Sequence, residues 1–174
     1  IGMGELLLDT SLTDEQKNFV TRFSRAANSL LALINDILDL SKIESGQMKL
    51  EEIPFDLREL VETTGELIAV RAHAKALELM TYVAPDVPQI VKGDPTRLRQ
   101  ILINLLGNAV KFTERGEVIL RAQRGDPLQE DLLHISVADS GIGIPEDKLD
   151  TIFENFTQVD SSTTRKYGGT GLGL

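Results

Sequence analysis

The sequence predicts an α+β chain in which a long bundle helix is followed by an α/β sandwich, with helices packed on one face of a mixed sheet. Three observations support this fold class. Apolar residues recur at helical spacing from about residue 13 to residue 45. Two later segments have the same spacing, and three short segments have the pattern of strands. Helices and strands in this order are typical of a layered domain.

The composition is that of a globular protein, and it excludes several kinds of site. The 174 residues are 41% hydrophobic and carry a net charge of −9, with no basic block that would favour nucleic-acid binding. The absence of cysteine excludes disulfides and thiolate zinc sites, and with two histidines a histidine-rich metal centre is not expected. We find no membrane-spanning run and no signal peptide, and we expect a cytoplasmic segment without membrane contact.

The first helical region is expected to be part of a hairpin. Thr13 has the position of an N-cap, with Gln16 in the capping-box position, and Gly46 should end the helix. A helix of this length spans about 45 Å, so it requires a partner helix. The segment that begins at Ile1 is the nearest candidate. We interpret residues 1–46 as a partial hairpin, residues 47–56 as a linker, and the sequence as a piece cut at both ends.

The elements of the sandwich follow the linker. A second helix is expected from about Leu57 to Leu77, with its inward face formed by Leu57, Leu60, Val61, Thr64 and Ile68. Strands are expected at Glu78–Ala84, Glu117–Gln123 and Leu132–Asp139. Asp94 should cap a third helix that begins at Pro95. Proline suits this first position because the N–H that it lacks would have no partner within the helix.

The third helix, which continues to Phe112, carries a polar stripe. Asn104, Asn108 and Lys111 stand at i, i+4 and i+7 and fall on one face about 60° wide. Amide oxygens are acceptable ligands for Mg²⁺, and an ammonium can contact phosphate. A solvated polar face is the better interpretation of these three residues taken alone. The opposite, apolar arc is assigned to Leu98, Ile101, Leu102, Leu105, Ala109 and Phe112.

Two glycine-rich segments later in the sequence supply further candidate residues for a ligand site. Asp139 ends an apolar strand and could accept a hydrogen bond from the exocyclic amine of adenine, while the glycines after it let a flat ring approach. The alternative is that Asp139 only caps a short helix near Glu146. A later run has the composition of a phosphate-binding loop, although it is neither a Walker A loop nor a dinucleotide fingerprint: Gly168, Gly169, Gly171 and Gly173. Together these segments indicate a nucleotide site.

These segments resemble, in the same order, the four sequence boxes of sensor histidine kinases. Residues 104–112 resemble the N box, 139–143 the G1 box, 153–156 the F box and 169–173 the G2 box. Residues 1–45 resemble the end of the dimerisation hairpin, and the segment 160–169 is most similar to hybrid kinases. The resemblance implies that residues 57–174 form a Bergerat-type ATP-binding domain, as in histidine kinases and Hsp90-like ATPases, without its C-terminal helix and strands.

The resemblance also implies ATP and Mg²⁺ as ligands. Asp139 would bind adenine, Asn108 with Asn104 nearby would hold the metal, and Lys111 would contact the phosphates. Residues 157–168 would form a mobile lid that closes on the γ-phosphate through Arg165 and Lys166. The other residues expected to bind the nucleotide are Phe112, Gly141, Ile142, Gly143, Phe156, Gly169, Thr170, Gly171, Leu172 and Gly173.

Asn104 separates a kinase from an ATPase within this fold. The gyrase, Hsp90 and MutL group carries a glutamate at this position, which activates the attacking water. An amide cannot take a proton at neutral pH, so ATP would be held for transfer to an acceptor. An ATPase or serine kinase on the same fold is one alternative, and a degenerate module that only dimerises or docks partners is another.

The family's phosphoacceptor is a histidine on the first hairpin helix, which would lie before Ile1. The phosphate would then be relayed to an aspartate of a response-regulator receiver domain, and the hairpin would form a homodimer. His73 and His134 are interpreted as surface histidines of the ATP-binding part. We therefore expect no catalytic residue within this sequence and no self-phosphorylation.

Overall fold

The computed structural model describes residues 2–125, 132–149, 151 and 152. The chain divides into two compact units, Ile1–Lys49 and Leu50–Leu174. The first unit is helical, and the second combines helices with a mixed sheet. Within the described part of the chain, no helix is both long and apolar enough to cross a membrane.

The first unit consists of α1 (Gly2–Leu8) and α2 (Asp14–Glu44). The predicted capping box begins α2: the Thr13 hydroxyl accepts the Gln16 backbone N–H at 3.3 Å, and the Gln16 side chain accepts the Thr13 N–H at 3.0 Å. This reciprocal pair satisfies donors that the first helical turn leaves without partners. Gly46 follows the end of α2 with a φ of 65°, as predicted for a helix terminus.

The apolar stripe of α2 is exposed along most of its length. Helix α1 packs on α2 and buries Gly4 beside Ser24, but it has 7 residues against 31 in α2. Large side chains of the predicted stripe are 43–68% exposed: Phe19, Phe23, Leu30, Ile34, Ile37 and Leu38. A row of exposed apolar side chains marks an interaction surface.

The second unit places two helices on one face of a three-stranded sheet. Its elements in chain order are β1 (Ile53–Asp56), α3 (Leu57–His73), β2 (Glu78–Val83), β3 (Ile90–Gly93), α4 (Pro95–Phe112), β4 (Glu117–Arg124) and β5 (Leu133–Asp139). The sheet has the order β2-β4-β5, with β2 parallel and β5 antiparallel to β4. Strands β1 and β3 form a separate antiparallel pair. Helices on one face of a mixed sheet confirm the predicted fold class.

The core lies between the central strand and the two helices. Every second side chain of β4 points toward the helices, and Val118, Leu120 and Ala122 are fully buried there. All five residues predicted for the inward face of α3 are buried, including Thr64, whose hydroxyl donates to the Leu60 carbonyl at 2.6 Å. Burial of each large apolar side chain contributes about 1.5–3 kcal/mol, so this layer holds the second unit together.

Two strands were missed by the sequence analysis. Strand β1 lies inside the segment predicted as a linker, and β3 lies where no element was predicted. Each has four residues, and β1 contains Pro54. Such strands are too short for an alternating pattern to be recognised, and their pairing depends on residues about 40 positions apart, such as Ile53 and Gly93.

The predicted end of α3 near Leu77 is wrong, because the helix ends at His73. The Leu77 N–H donates to the Ala72 carbonyl at 3.0 Å and the Ala76 N–H to the His73 carbonyl at 2.9 Å, which are the two bonds of a Schellman motif. Ala76 occupies the left-handed position of this motif with a φ of 55°. That conformation usually belongs to glycine and costs an L-residue about 1–2 kcal/mol.

The apolar face of α4 is rotated relative to the prediction. Leu106, which was not assigned to the core, is fully buried, whereas Ile101 is 54% exposed. Leu102, Ala109 and Val110 complete the buried arc. Helix α4 packs against α3 and the sheet together, and these two neighbours, rather than the apolar pattern alone, determine which arc is buried.

Carboxylates at two helix N-termini make the second unit sensitive to acid. Asp94 Oδ1 accepts the Arg97 N–H at 3.0 Å, and this bond is the main reason that the pKa of Asp94 lies below its usual value. Its Oδ2 accepts the Glu51 N–H at 3.2 Å. The backbone N–H of Glu59 similarly lowers the pKa of Asp56. Because both folded-state pKa values are lowered, the stabilisation is present above the unfolded pKa and is lost as pH falls through the folded value.

We expect the free energy of unfolding, measured by urea denaturation, to decrease as pH is lowered from about 5 to below 4. The decrease should be smaller for Asp94→Asn, because asparagine still caps the helix but does not titrate in this range. Asp86→Asn is the control, since it removes an exposed carboxylate that caps no helix. An identical pH dependence of wild type and Asp94→Asn would contradict the role of this cap.

Candidate nucleotide-binding site

The carboxyl end of α4 meets the turn that follows β5. The Ile142 N–H donates to the Phe112 carbonyl at 3.4 Å, and the Thr113 hydroxyl lies 3.5 Å from Asp139 Oδ1. Thr113 is fully buried, and its own N–H donates to the Ala109 carbonyl at 3.0 Å. The structure therefore brings together two segments that the sequence analysis assigned to one site from separate motifs.

The carboxylate of Asp139 is oriented by its own turn. Oδ1 accepts the Gly141 backbone N–H at 2.8 Å as well as the weaker bond from Thr113. Among the described residues both bonds fall on Oδ1, so Oδ2 of this exposed side chain can accept a donor from a ligand. The alternative that Asp139 caps the helical turn Glu146–Lys148 is wrong, because that turn begins at Pro145 without a side-chain cap.

Gly141 stands where a side chain does not fit. A Cβ atom there would lie 2.6 Å from the Phe112 carbonyl oxygen and 2.7 Å from Asp139 Oδ1. The first neighbour is main chain at a helix end, and the second is the carboxylate of the candidate site. The absence of a side chain at residue 141 therefore permits the close contact between α4 and the turn.

The polar stripe of α4 lies on the face opposite the buried arc. Asn104 is exposed, and Asn108 and Lys111 are half-buried. The Lys111 Nζ atom lies 4.7 Å from the centroid of the Phe112 ring, and desolvation lowers the pKa of this ammonium below its ordinary value. Partial shielding from water strengthens the interaction of an ammonium with an anion.

The donor atoms of the stripe suit a metal that has few protein ligands. Within the described ranges, no group of three or more His, Cys, Asp or Glu side chains is placed to hold a metal ion. Asn104 and Asn108 offer amide oxygens one helical turn apart. Mg²⁺ accepts such oxygens and commonly completes its coordination with water and substrate phosphates.

Several predicted site residues lie outside the described part of the chain, and their assignments remain predictions. They are Phe156, Arg165, Lys166, Gly169, Thr170, Gly171, Leu172 and Gly173. The F box, the lid and the G2 box belong to this group. Ile142 and Gly143 are described: Ile142 is 63% exposed, and Gly143 has a φ of 69°.

Three contributors to this region were missed by the sequence analysis. The Ser140 hydroxyl accepts the Glu117 N–H at 2.9 Å and so attaches the turn to the start of β4. Thr113 contacts Asp139, and Lys75 contacts the end of α4. Thr113 directly follows the segment that resembles the N box, and this position is the signal by which its contact with the site could have been predicted. Lys75 lies 35 residues before Val110, and no local pattern indicates their contact.

Both ends of the chain match known families. Residues 1–46 match the His Kinase A (phospho-acceptor) domain. Residues 93–174 match the family described as histidine kinase-, DNA gyrase B-, and HSP90-like ATPase.

The chain is also similar over its whole length to curated proteins. It is 45% identical to hybrid signal transduction histidine kinase A of Dictyostelium discoideum and 46% identical to the signal transduction histidine-protein kinase BarA of Escherichia coli (strain K12). All of this chain is covered in both comparisons, but the chain spans 8% of the first relative and 19% of the second.

Solved structures share the fold. Full-length ShkA in complex with AMPPNP covers 99% of this chain and 35% of its own, with 40% identity and a TM-score of 0.79. The catalytic domain of ThkA covers 71% of this chain and 75% of its own, with 30% identity and a TM-score of 0.56. ThkA in complex with the response regulator TrrA covers 90% of this chain and 45% of its own, and at 24% identity and a TM-score of 0.60 it shows a likeness of fold.

These matches agree with the order of the motifs noted in the sequence. The resemblance noted in the sequence is thereby confirmed at the level of the family. The chain belongs to the sensor histidine kinases: a segment that matches their phospho-acceptor domain is followed by their ATP-binding catalytic region.

Proposed function

We propose that this chain binds Mg²⁺ and ATP and donates the γ-phosphate to a histidine on the helical hairpin of its parent protein. The phosphate then passes to an aspartate of a response-regulator receiver domain. The observation that supports this proposal best is the junction of α4 with the Asp139 turn. It combines a carboxylate oriented for an amine donor with a helix whose polar stripe carries two amides and an ammonium.

The adenine side of the proposed site is formed by the turn. Asp139 Oδ2 accepts a hydrogen bond from the exocyclic amine, while Oδ1 stays bonded to the Gly141 N–H. Gly143 and Ile142 line the same turn, and Phe112 borders it through its main-chain carbonyl. This arrangement favours adenine because guanine carries a carbonyl oxygen, a hydrogen-bond acceptor, at the corresponding ring position.

The phosphate side follows the stripe of α4. Asn108, with Asn104 nearby, holds Mg²⁺ through amide oxygens, and Lys111 contacts the phosphates. When bound, the metal compensates the charge of the phosphates. Charge compensation and positioning of the reactants are the two main requirements of phosphoryl transfer. The proposal extends to the predicted lid residues Arg165 and Lys166 and to the glycines of the G2 box.

The residue at position 104 favours transfer over hydrolysis. Asn104 is exposed on the stripe and has an amide that cannot serve as a general base toward water. Bound ATP is therefore retained until an acceptor histidine approaches. This property distinguishes the proposed kinase from an ATPase built on the same fold.

The proposed partners are a second copy of the protein and a receiver domain. The row of exposed apolar side chains on α2, from Phe19 to Leu38, provides a surface on which a partner helix can pack. The phospho-acceptor match over residues 1–46 supports a dimer through this hairpin. The hybrid kinase among its relatives and the ThkA–TrrA complex support a response regulator as the second partner.

We expect Asp139→Asn to weaken ATP binding by about 10- to 100-fold, because a hydrogen bond to a charged group contributes about 1.5–3 kcal/mol. Isothermal titration calorimetry with ATP and Mg²⁺ measures this change. Asp147→Asn, an exposed carboxylate outside the junction, is the matched control and should bind like the wild type. Unchanged affinity of Asp139→Asn would remove this carboxylate from adenine recognition.

Gly141→Ala should abolish detectable ATP binding and lower the stability of the second unit, since its Cβ atom collides with main chain and with Asp139. Gly107→Ala provides the control within α4, where a Cβ atom meets no heavy atom within 4 Å. That substitution should stabilise the chain by about 0.5–1 kcal/mol in urea denaturation and leave ATP affinity intact. Equal ATP affinities of the two variants would show that the contact at residue 141 is unnecessary.

Asn108→Asp should change the dependence of ATP binding on Mg²⁺. A carboxylate binds the metal more strongly but repels the phosphates when the metal is absent, so ATP affinity should rise more steeply with Mg²⁺ concentration. Calorimetric titrations at several Mg²⁺ concentrations test this expectation. Superimposable Mg²⁺ profiles of variant and wild type would argue against Asn108 as a ligand.

A further inference from the structure

The turn between α3 and β2 reaches the carboxyl end of α4. The Lys75 Nζ atom donates to three main-chain carbonyls, those of Val110 at 2.7 Å, Lys111 at 3.0 Å and Thr113 at 3.4 Å. Carbonyls at a helix end have no partner within the helix and form the negative end of its dipole. One ammonium therefore satisfies a cluster of acceptors and compensates their partial charge.

The geometry of the turn supports this contact. Lys75 lies in the turn that the two Schellman bonds close after α3. The next residue, Ala76, has a φ of 55°, which is unfavourable for a residue with a side chain. A strained conformation persists where its surroundings hold it. The three bonds of Lys75 connect this turn to the end of α4.

The carbonyls that Lys75 holds belong to the segment that borders the candidate site. On the other side of this segment, the Phe112 carbonyl accepts the Ile142 N–H and the Thr113 hydroxyl approaches Asp139. Residues 110–113 are thus held between the ammonium and the Asp139 turn. A shift of this segment would move the Thr113 hydroxyl and the wall against which Gly141 packs.

We propose that Lys75 is a positioning residue for adenine nucleotide binding. Its ammonium fixes residues 110–113, and this segment in turn orients the carboxylate of Asp139. Lys75 acts through the main chain of α4 and does not touch the nucleotide. The inference rests on the proposed function, because it assigns Lys75 a role in the same ATP site.

Calorimetric titration of the 174-residue chain with ATP and Mg²⁺ tests the role of the ammonium. Lys75→Met should weaken binding by about tenfold or more, because the carbonyls lose their charged donor. Lys75→Arg keeps a cationic donor and should restore affinity to within about threefold of wild type. Lys92→Met, which removes an exposed lysine from β3, should bind like the wild type. Wild-type affinity in Lys75→Met would overturn the proposal, as would equal losses in the Met and Arg variants.

Amide hydrogen exchange without nucleotide separates positioning from general stability. Loss of positioning in Lys75→Met should accelerate exchange of the Gly141 amide, which bonds to Asp139, and leave the Leu120 amide of central strand β4 protected. A role in stability alone would accelerate both amides together, and that result would overturn the proposal. If Lys75→Met does not fold, Lys75→Gln serves for the same measurement, with the same two outcomes.

The two measurements also separate this inference from the proposed function. Absence of ATP binding in the wild type would count against the proposed function, while the exchange of Gly141 would still decide whether Lys75 positions the turn. Wild-type binding that survives in Lys75→Met, with unchanged Gly141 exchange, would leave the proposed function intact and reject the role of Lys75.

Discussion

The contact between the carboxyl end of α4 and the turn after β5 is the constraint on which the candidate site depends. The Phe112 carbonyl accepts the Ile142 N–H, and the Thr113 hydroxyl lies close to the Asp139 carboxylate. Gly141 permits this approach because a Cβ atom would collide with both partners. The proposed roles of the polar stripe of α4 and of the Asp139 carboxylate in binding one nucleotide both depend on this contact.

Sheet topology explains why these two segments meet. A short connection joins the end of α4 to β4, and β5 runs antiparallel to β4, with Asp139 opposite Val118. The end of β5 therefore returns to the point where α4 has just ended. The core between β4 and the two helices stabilises this arrangement, and Lys75 connects the α3–β2 turn to the end of α4.

The second unit has a buried core, and α2 in the first unit presents a row of exposed apolar side chains. The second unit has a core shared by both helices and the sheet, in which Val61, Leu106 and Leu120 are fully buried. In the first unit, Phe19 and Phe23 are more than 60% exposed on α2. Because exposed apolar area favours association, this face of α2 is suited to pairing with other helices.

The sequence by itself determined the fold class, the long α2 helix with its capping box, the inward face of α3 and the motifs that place the chain among sensor histidine kinases. These features depend on local spacing and on residue types at neighbouring positions. Tertiary structure decided the strands β1 and β3, the rotation of α4 that buries Leu106, and the contacts of Thr113 and Lys75. Each of these depends on residues far apart in the chain, and a local pattern carries no information about which distant partner a side chain meets.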